Sequence, residues 1–223
     1  RLKSGFALHG GAHVALAADE GDASVSEAEQ IVGHIARGGT VIEVTILDDS
    51  GPGSLREALL ARGPRTVVFR VGGTINLRSA IVVTEPYLTV AGQTAPGGGI
   101  LLIAPESTDD LIFITAHDVI WRYVKIAKGF NQTMLEIFRA TGILLGANLR
   151  VVSGAYNVIV DHNSLWWNQD ECLNAWNSRG NITFSYNLLA EGLSPHSTGF
   201  LTDGSANQTD IDIHHNLTMS NTH

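Results

Sequence analysis

At 223 residues and 23.8 kDa the chain holds one ordinary core or at most two small ones. Its 44% apolar and 16% charged residues exclude a long disordered polymer, and 22 acidic against 14 basic side chains, a formal charge of −8, argue against an extended track for a nucleic-acid backbone. A single cysteine, Cys172, allows neither an intrachain disulfide nor a thiolate metal cluster.

Residues 1–40 read as an N-terminal segment or cap, rich in Ala, Gly, His and acidic residues, with a short helix predicted over Ser26 to Arg37. The apolar stretch Phe6 to Ala18 is broken by His9, Gly10, Gly11 and His13, which suits neither a signal-peptide core nor a membrane span. After the Asp48–Gly53 turn a second helix is predicted over Ser54 to Ala61, with Ser54 as cap and Glu57 in the capping-box position. Everything beyond reads as strands. With Thr40 to Leu47 before that helix, these are Thr66 to Val71, Leu88 to Ala91, Ile100 to Ile103, Leu111 to Thr115, Val119 to Ile126, Leu149 to Val152, Val158 to Asp161, Ile182 to Ser185 and Ile211 to His214. Turns of Gly, Asn, Asp or Pro separate them, not helix-length spacers, so an all-β fold is expected, with 41–223 as one domain.

Internal repetition sharpens that expectation. VIVDHNSL from Val158, ITFSYNLL from Ile182 and IDIHHNLT from Ile211 superpose without gaps, and VIWRYVKI from Val119 and LTVAGQT from Leu88 are poorer copies. The varying spacing lies in the solenoid range. Alternation puts Val158 and Val160, Ile182 and Phe184, and Ile211 and Ile213 on one inward face. Asn163, Asn187 and Asn216 recur at one offset, where a parallel stack would bring their amides to strand spacing and let them bond to one another and to the turn backbone. Sandwiches and barrels do not require that repetition; a parallel β-helix does.

At this point the sequence resembles the bacterial pectate lyase-like proteins of the right-handed parallel β-helix class. The resemblance lies in GGTVIEVTILDDSGPGSLREAL (Gly38 to Leu59), RTVVFRVGGTINL (Arg65 to Leu77), PYLTVAGQTAPGGGI (Pro86 to Ile100), NVIVDHNSLWWNQDE (Asn157 to Glu171), NITFSYNLLAEGL (Asn181 to Leu193), HSTGFL (His196 to Leu201) and DIHHNLTMSNTH (Asp212 to His223). It implies a secreted or periplasmic monomer that binds Ca²⁺ and an acidic polysaccharide, with no nucleic-acid or membrane partner, and that cleaves polygalacturonate by β-elimination. The alternative is a non-catalytic carbohydrate-binding β-helix; a hydrolase on the same scaffold is a third reading.

Carried over residue by residue, Asp170 and Glu171 match the family's acidic pair and become the expected metal ligands, with Asp161 as a third ligand or as a turn carboxylate. Asn148 stands where relatives often have Asp. The family's catalytic Arg is expected just after His223, so either the chain is a fragment or another residue substitutes, the candidates being Arg122, Lys125, Lys128 and Arg150. For substrate contact the expected residues are Arg122, Trp167, His162, His196 and His215. Four of them have a structural reading as well: Arg122 paired with an acid, Trp167 with Trp166 and Trp176 as filler around Asp170 and Glu171, and His162 and His215 in a corner stack. Adjacent His214 and His215 are expected to point to opposite faces.

Overall fold

The computed structural model describes residues 39–143, 146–203 and 209–221; the helix expected over Ser26 to Arg37 falls outside them. Strand β1 (Thr40–Val44) leads to helix α1 (Leu55–Leu60), and the chain then winds in coils of three strands. These are β2 (Arg65–Phe69), β3 (Gly73–Asn76) and β4 (Ile81–Val83); β5 (Leu88–Ala91), β6 (Ile100–Ile103) and β7 (Ile112–Ile114); and β8 (Val119–Arg122), β9 (Val124–Ala127) and, after helix α2 (Gln132–Thr141), β10 (Leu149–Val152). There follow β11 (Tyr156–Asp161), β12 (Ser164–Trp166) and β13 (Glu171–Trp176); β14 (Gly180–Ser185), β15 (Leu188–Ala190) and β16 (Thr198–Asp203); and finally β17 (Thr209–His214) and β18 (Leu217–Met219).

Successive first, second and third strands stack into sheets A (β1-β2-β5-β8-β11-β14-β17), B (β3-β6-β9-β12-β15-β18) and C (β4-β7-β10-β13-β16). Every neighbouring pair is parallel. The protein is a right-handed parallel β-helix, the hand that parallel crossovers adopt. The expected inward face forms as read: Val158 pairs in register with Ile182 and Ile182 with Ile211, and likewise Val160 with Phe184 and Phe184 with Ile213. Val158, Val160, Ile182 and Phe184 are buried, whereas Ile213 is exposed, because β17 has a sheet neighbour on one side only among the described strands.

The corner between sheets A and B explains the recurring Asn. One residue per coil turns the chain there through the left-handed region: Tyr123, His162, Tyr186 and His215, with φ between 53° and 57°. The next residue in three of these coils is an Asn. Asn163 Nδ2 donates to Asn187 Oδ1 and Asn187 Nδ2 to Asn216 Oδ1, each at 3.0 Å, while the same oxygens accept the backbone N–H groups of Asn163 and Asn187. The amide column replaces the ladder bonds that a bend would break.

Helix α1 starts as predicted, with Ser54 Oγ accepting from Glu57 N at 3.2 Å, though the Glu57 carboxylate accepts from Gly53 N instead of from the cap residue itself. Its last carbonyls are met by the buried Arg65, which donates to Ala58 O and Leu59 O. Two expectations fail. Val119 to Ile126 is not one strand: Tyr123, at φ 57°, breaks it into β8 and β9 on different sheets. Nor is the chain after α1 all strand, for α2 begins where Asn131 accepts from Met134 N and ends at Gly142, φ 72°, whose N–H donates to Phe138 O.

Candidate functional site

The side chains that can carry chemistry converge on sheet C. Asp110 precedes β7, Arg150 lies on β10, and Asp170 and Glu171 open β13, so three successive coils bring them together. Arg150 Nε lies 2.7 Å from Asp110 Oδ2, and Nη2 lies 3.0 Å from Glu171 Oε2 and also pairs with Asp170. Asp110 is held in turn by the N–H groups of Gly146 and Ala147, at 2.7 and 2.8 Å. From the following coil His196 brings Nδ1 to 3.0 Å from Asp170 Oδ1. One ligand atom from each of Asp170, Glu171 and His196 lies within 4.8 Å of the others.

Burial sets the electrostatics. Asp110, Asp170 and Glu171 are all buried. Desolvation holds the Asp110 carboxyl above its usual range against the opposing pull of Arg150. Glu171 is pushed up to about 8, first by burial and then by the Asp170 charge, with Arg150 again opposing. One guanidinium facing three carboxylates leaves the group short of positive charge. Asn174, the register partner of Arg150 on β13, is fully buried. Its amide favours the ionised form of Glu171, yet neither Oδ1 nor Nδ2 completes a hydrogen bond. The two carboxylates of Asp170 and Glu171, with His196 beside them, offer a donor set that suits a hard cation. The sequence reading missed Asn174; its signal was a polar residue in a strand otherwise read through the acidic pair at its start.

No family model matches the chain. It is 38% identical over 170 residues to the probable pectate lyase C of Emericella nidulans, a match covering 75% of this chain and 36% of the relative. The probable pectate lyase C of Aspergillus oryzae gives 37% over the same length and the same coverage. Over three quarters of its length the chain is similar to these probable pectate lyases. It spans little more than a third of the length of these curated relatives, which are fungal, so the bacterial part of the resemblance finds no support. In fold the chain is similar to the crystal structure of Jun a 1, the major allergen from cedar pollen, with a TM-score of 0.57 over 77% of this chain and 50% of that one, at 19% identity.

The remaining expected residues lie elsewhere. Asp161 ends β11 on sheet A and is separated from Asp170 by the whole of β12 on sheet B. Its two oxygens accept from Arg122 Nε and Nη2, each at 2.6 Å, and His162 Nδ1 lies 2.7 Å from Oδ2. The structure therefore does not bring Asp161 to the acidic pair, and Arg122 and His162 are its partners. His162 and His215 stand in a column with Tyr123 and Tyr186, ring centroids 4.7 to 4.9 Å apart and nearly parallel. His214 and His215 do not diverge: His215 is at φ 53°, not extended, and the two Nδ1 atoms are 2.7 Å apart. Trp167 is exposed and donates from Nε1 to Glu191 at 2.9 Å.

Of the four cations named as candidate bases, Arg150 is the one that forms ion pairs with the acidic group among the described residues. Lys125 lies on sheet B. Lys128 is buried beside α2, its Nζ donating to Ser107 O at 2.7 Å, and burial lowers its pKa to about 8. Asn148 bonds as an amide and not as a ligand: Oδ1 accepts from Lys128 N and Nδ2 donates to Trp166 O. No helix among the described residues is long and apolar enough to cross a membrane.

Proposed function

We propose that the protein belongs to a secreted, calcium-dependent lyase that cleaves polygalacturonate or a related uronate polysaccharide by β-elimination. The observation that carries this reading is the meeting of Asp170, Glu171 and His196 within 4.8 Å on one parallel sheet of a chain similar to pectate lyases. Asp170 and Glu171 would hold Ca²⁺, consistent with the hard-oxygen preference of that ion. Bound there, the ion would draw charge from a uronate carboxylate and so acidify the proton at C5.

The chain's own residues have separable tasks in this reading. Arg150 keeps Asp170 and Glu171 together and neutralises part of their charge, so that an anionic polymer is not repelled. Asp170 orients the His196 ring, which is only partly buried and so can meet a uronate or glycosidic oxygen from the solvent side. The test is the ultraviolet absorbance of an unsaturated uronate on adding polygalacturonate with Ca²⁺, because only elimination creates that conjugated double bond. Asp170→Asn and Glu171→Gln should each abolish it together with calorimetric Ca²⁺ binding. New reducing ends without absorbance would point to hydrolysis.

A second reading has its own support. Arg150 already supplies a cation to Asp110, Asp170 and Glu171, the arrangement of a structural ion-pair network in a carbohydrate-binding β-helix. Polysaccharide binding with neither absorbance nor reducing ends, and no calorimetric response to Ca²⁺, would favour it.

A further inference from the structure

We propose that a groove on the outer face of sheet B is a second binding site, taking a segment of anionic polysaccharide. The groove encloses about 570 Å³, within the range of ligand sites. Its floor is built from register neighbours: Thr74 on β3, Leu101 on β6 and Lys125 on β9. Three strands at sheet spacing make that floor about 10 Å long. Trp166, on the next strand, supplies one side, and the Pro96–Gly99 loop supplies the other.

The loop wall is constructed, not incidental. Gly73 N donates to Gly99 O at 3.0 Å, and a Cβ on Gly72 would stand 2.1 Å from Pro96 O, so only glycine there lets the loop close down over β3. A Cβ at Gly97, Gly98 or Gly99 would meet nothing within 4 Å, and all three line the groove, so no neighbouring group crowds this wall. Lys125 Nζ donates to Gly98 O at 2.6 Å, which fixes the ammonium at the groove while leaving its other two hydrogens.

Charge and shape decide the ligand. No lining residue is acidic, and Lys125 has no carboxylate partner among the described residues, although the chain carries a formal charge of −8. An isolated ammonium in such a chain selects an anion. The indole of Trp166 offers the apolar face on which the C–H side of a sugar ring packs. A carboxylate-bearing sugar satisfies both. The choice of a uronate rests on the pectate-lyase reading; the groove and its charge do not. Because this site is on sheet B and the acidic group on sheet C, the two would hold different stretches of one polymer or two polymers at once, raising effective concentration at the surface.

The experiment is titration of the full chain with trigalacturonate in calcium-free buffer, with a neutral galactan trimer as control. Wild type should bind the acidic trimer and not the neutral one. Lys125→Met and Trp166→Ala should each weaken binding by about tenfold, the scale of losing one charge-assisted contact, while Lys125→Arg should retain most of it. Unchanged thermal unfolding separates lost binding from lost fold. A wild-type chain that gives no ultraviolet absorbance with Ca²⁺ should still bind the acidic trimer without Ca²⁺, so failure of the lyase reading leaves this result standing. Absence of calcium-free binding, equal binding of the neutral trimer, or indifference to both Lys125→Met and Trp166→Ala would each overturn the proposal.

Discussion

Arg150 Nη2 lies 3.0 Å from Glu171 Oε2, so a fixed guanidinium stands where an added cation would also be drawn. Arg150→Gln removes the one basic side chain that, among the described residues, pairs with Asp110, Asp170 and Glu171 together. Breaking such a buried group should cost about 3 kcal/mol, the low end of the range because Arg150 is partly exposed. Millimolar Ca²⁺ should restore part of that loss, and should raise the unfolding temperature of the variant more than that of wild type. Thermal unfolding of both proteins with and without Ca²⁺ checks this; an equal response would refute the competition.

Lys128 gives a pH signature. Burial lowers its pKa to about 8, against the opposing charges of Asp110 and Asp109, whereas the unfolded chain keeps the ordinary value of 10.5. Below about 8 both states are protonated and the cost of burying the charge is fully present. Between about 8 and 10.5 the unfolded state binds the extra proton, so stability rises with pH. Lys128→Met should remove that rise and be the more stable protein at pH 7. Denaturant unfolding at intervals across this window, compared between the two, measures it; parallel curves would count against a buried charge.

The amide column predicts a graded loss. Asn187 is bonded on both sides, to Asn163 and to Asn216, and also donates to Val160 O at 2.9 Å. Asn187→Ala strands buried groups of its neighbours and should cost about 3 kcal/mol at roughly 1–3 per orphaned group. Asn216→Ala, whose column continues on one side only among the described residues, should cost less. Equal losses in equilibrium unfolding would mean that the column is not cooperative.

Gly92 tests the corner. It is one residue beyond β5, beneath Tyr123 of the next coil, and a Cβ there would lie 2.3 Å from Tyr123 O and 2.7 Å from Arg122 O. Both atoms are backbone and cannot swing aside. Gly92→Ala should therefore destabilise by about 1–3 kcal/mol and shift the Tyr123–His162 ring pair, visible as changed ring-current shifts of the His162 protons.

The sequence by itself determined what repeats. The alternation of Val158, Val160, Ile182 and Phe184 sets an inward face, and Asn163, Asn187 and Asn216 mark one corner, because both are local properties of a coil that recur in each turn. The start of α1 was legible in Ser54 and Glu57 for the same reason. Helix α2 was not, and its start is held by a contact between coils, Asn131 N donating to Gln169 Oε1. Only the folded chain places Asp161 on sheet A and Asp170 on sheet C, nine residues apart in sequence but divided by a strand and two corners. Only it draws Asp110, Arg150, Asp170 and His196 together, because which residues meet across coils depends on the length of every intervening turn, and those lengths vary from coil to coil.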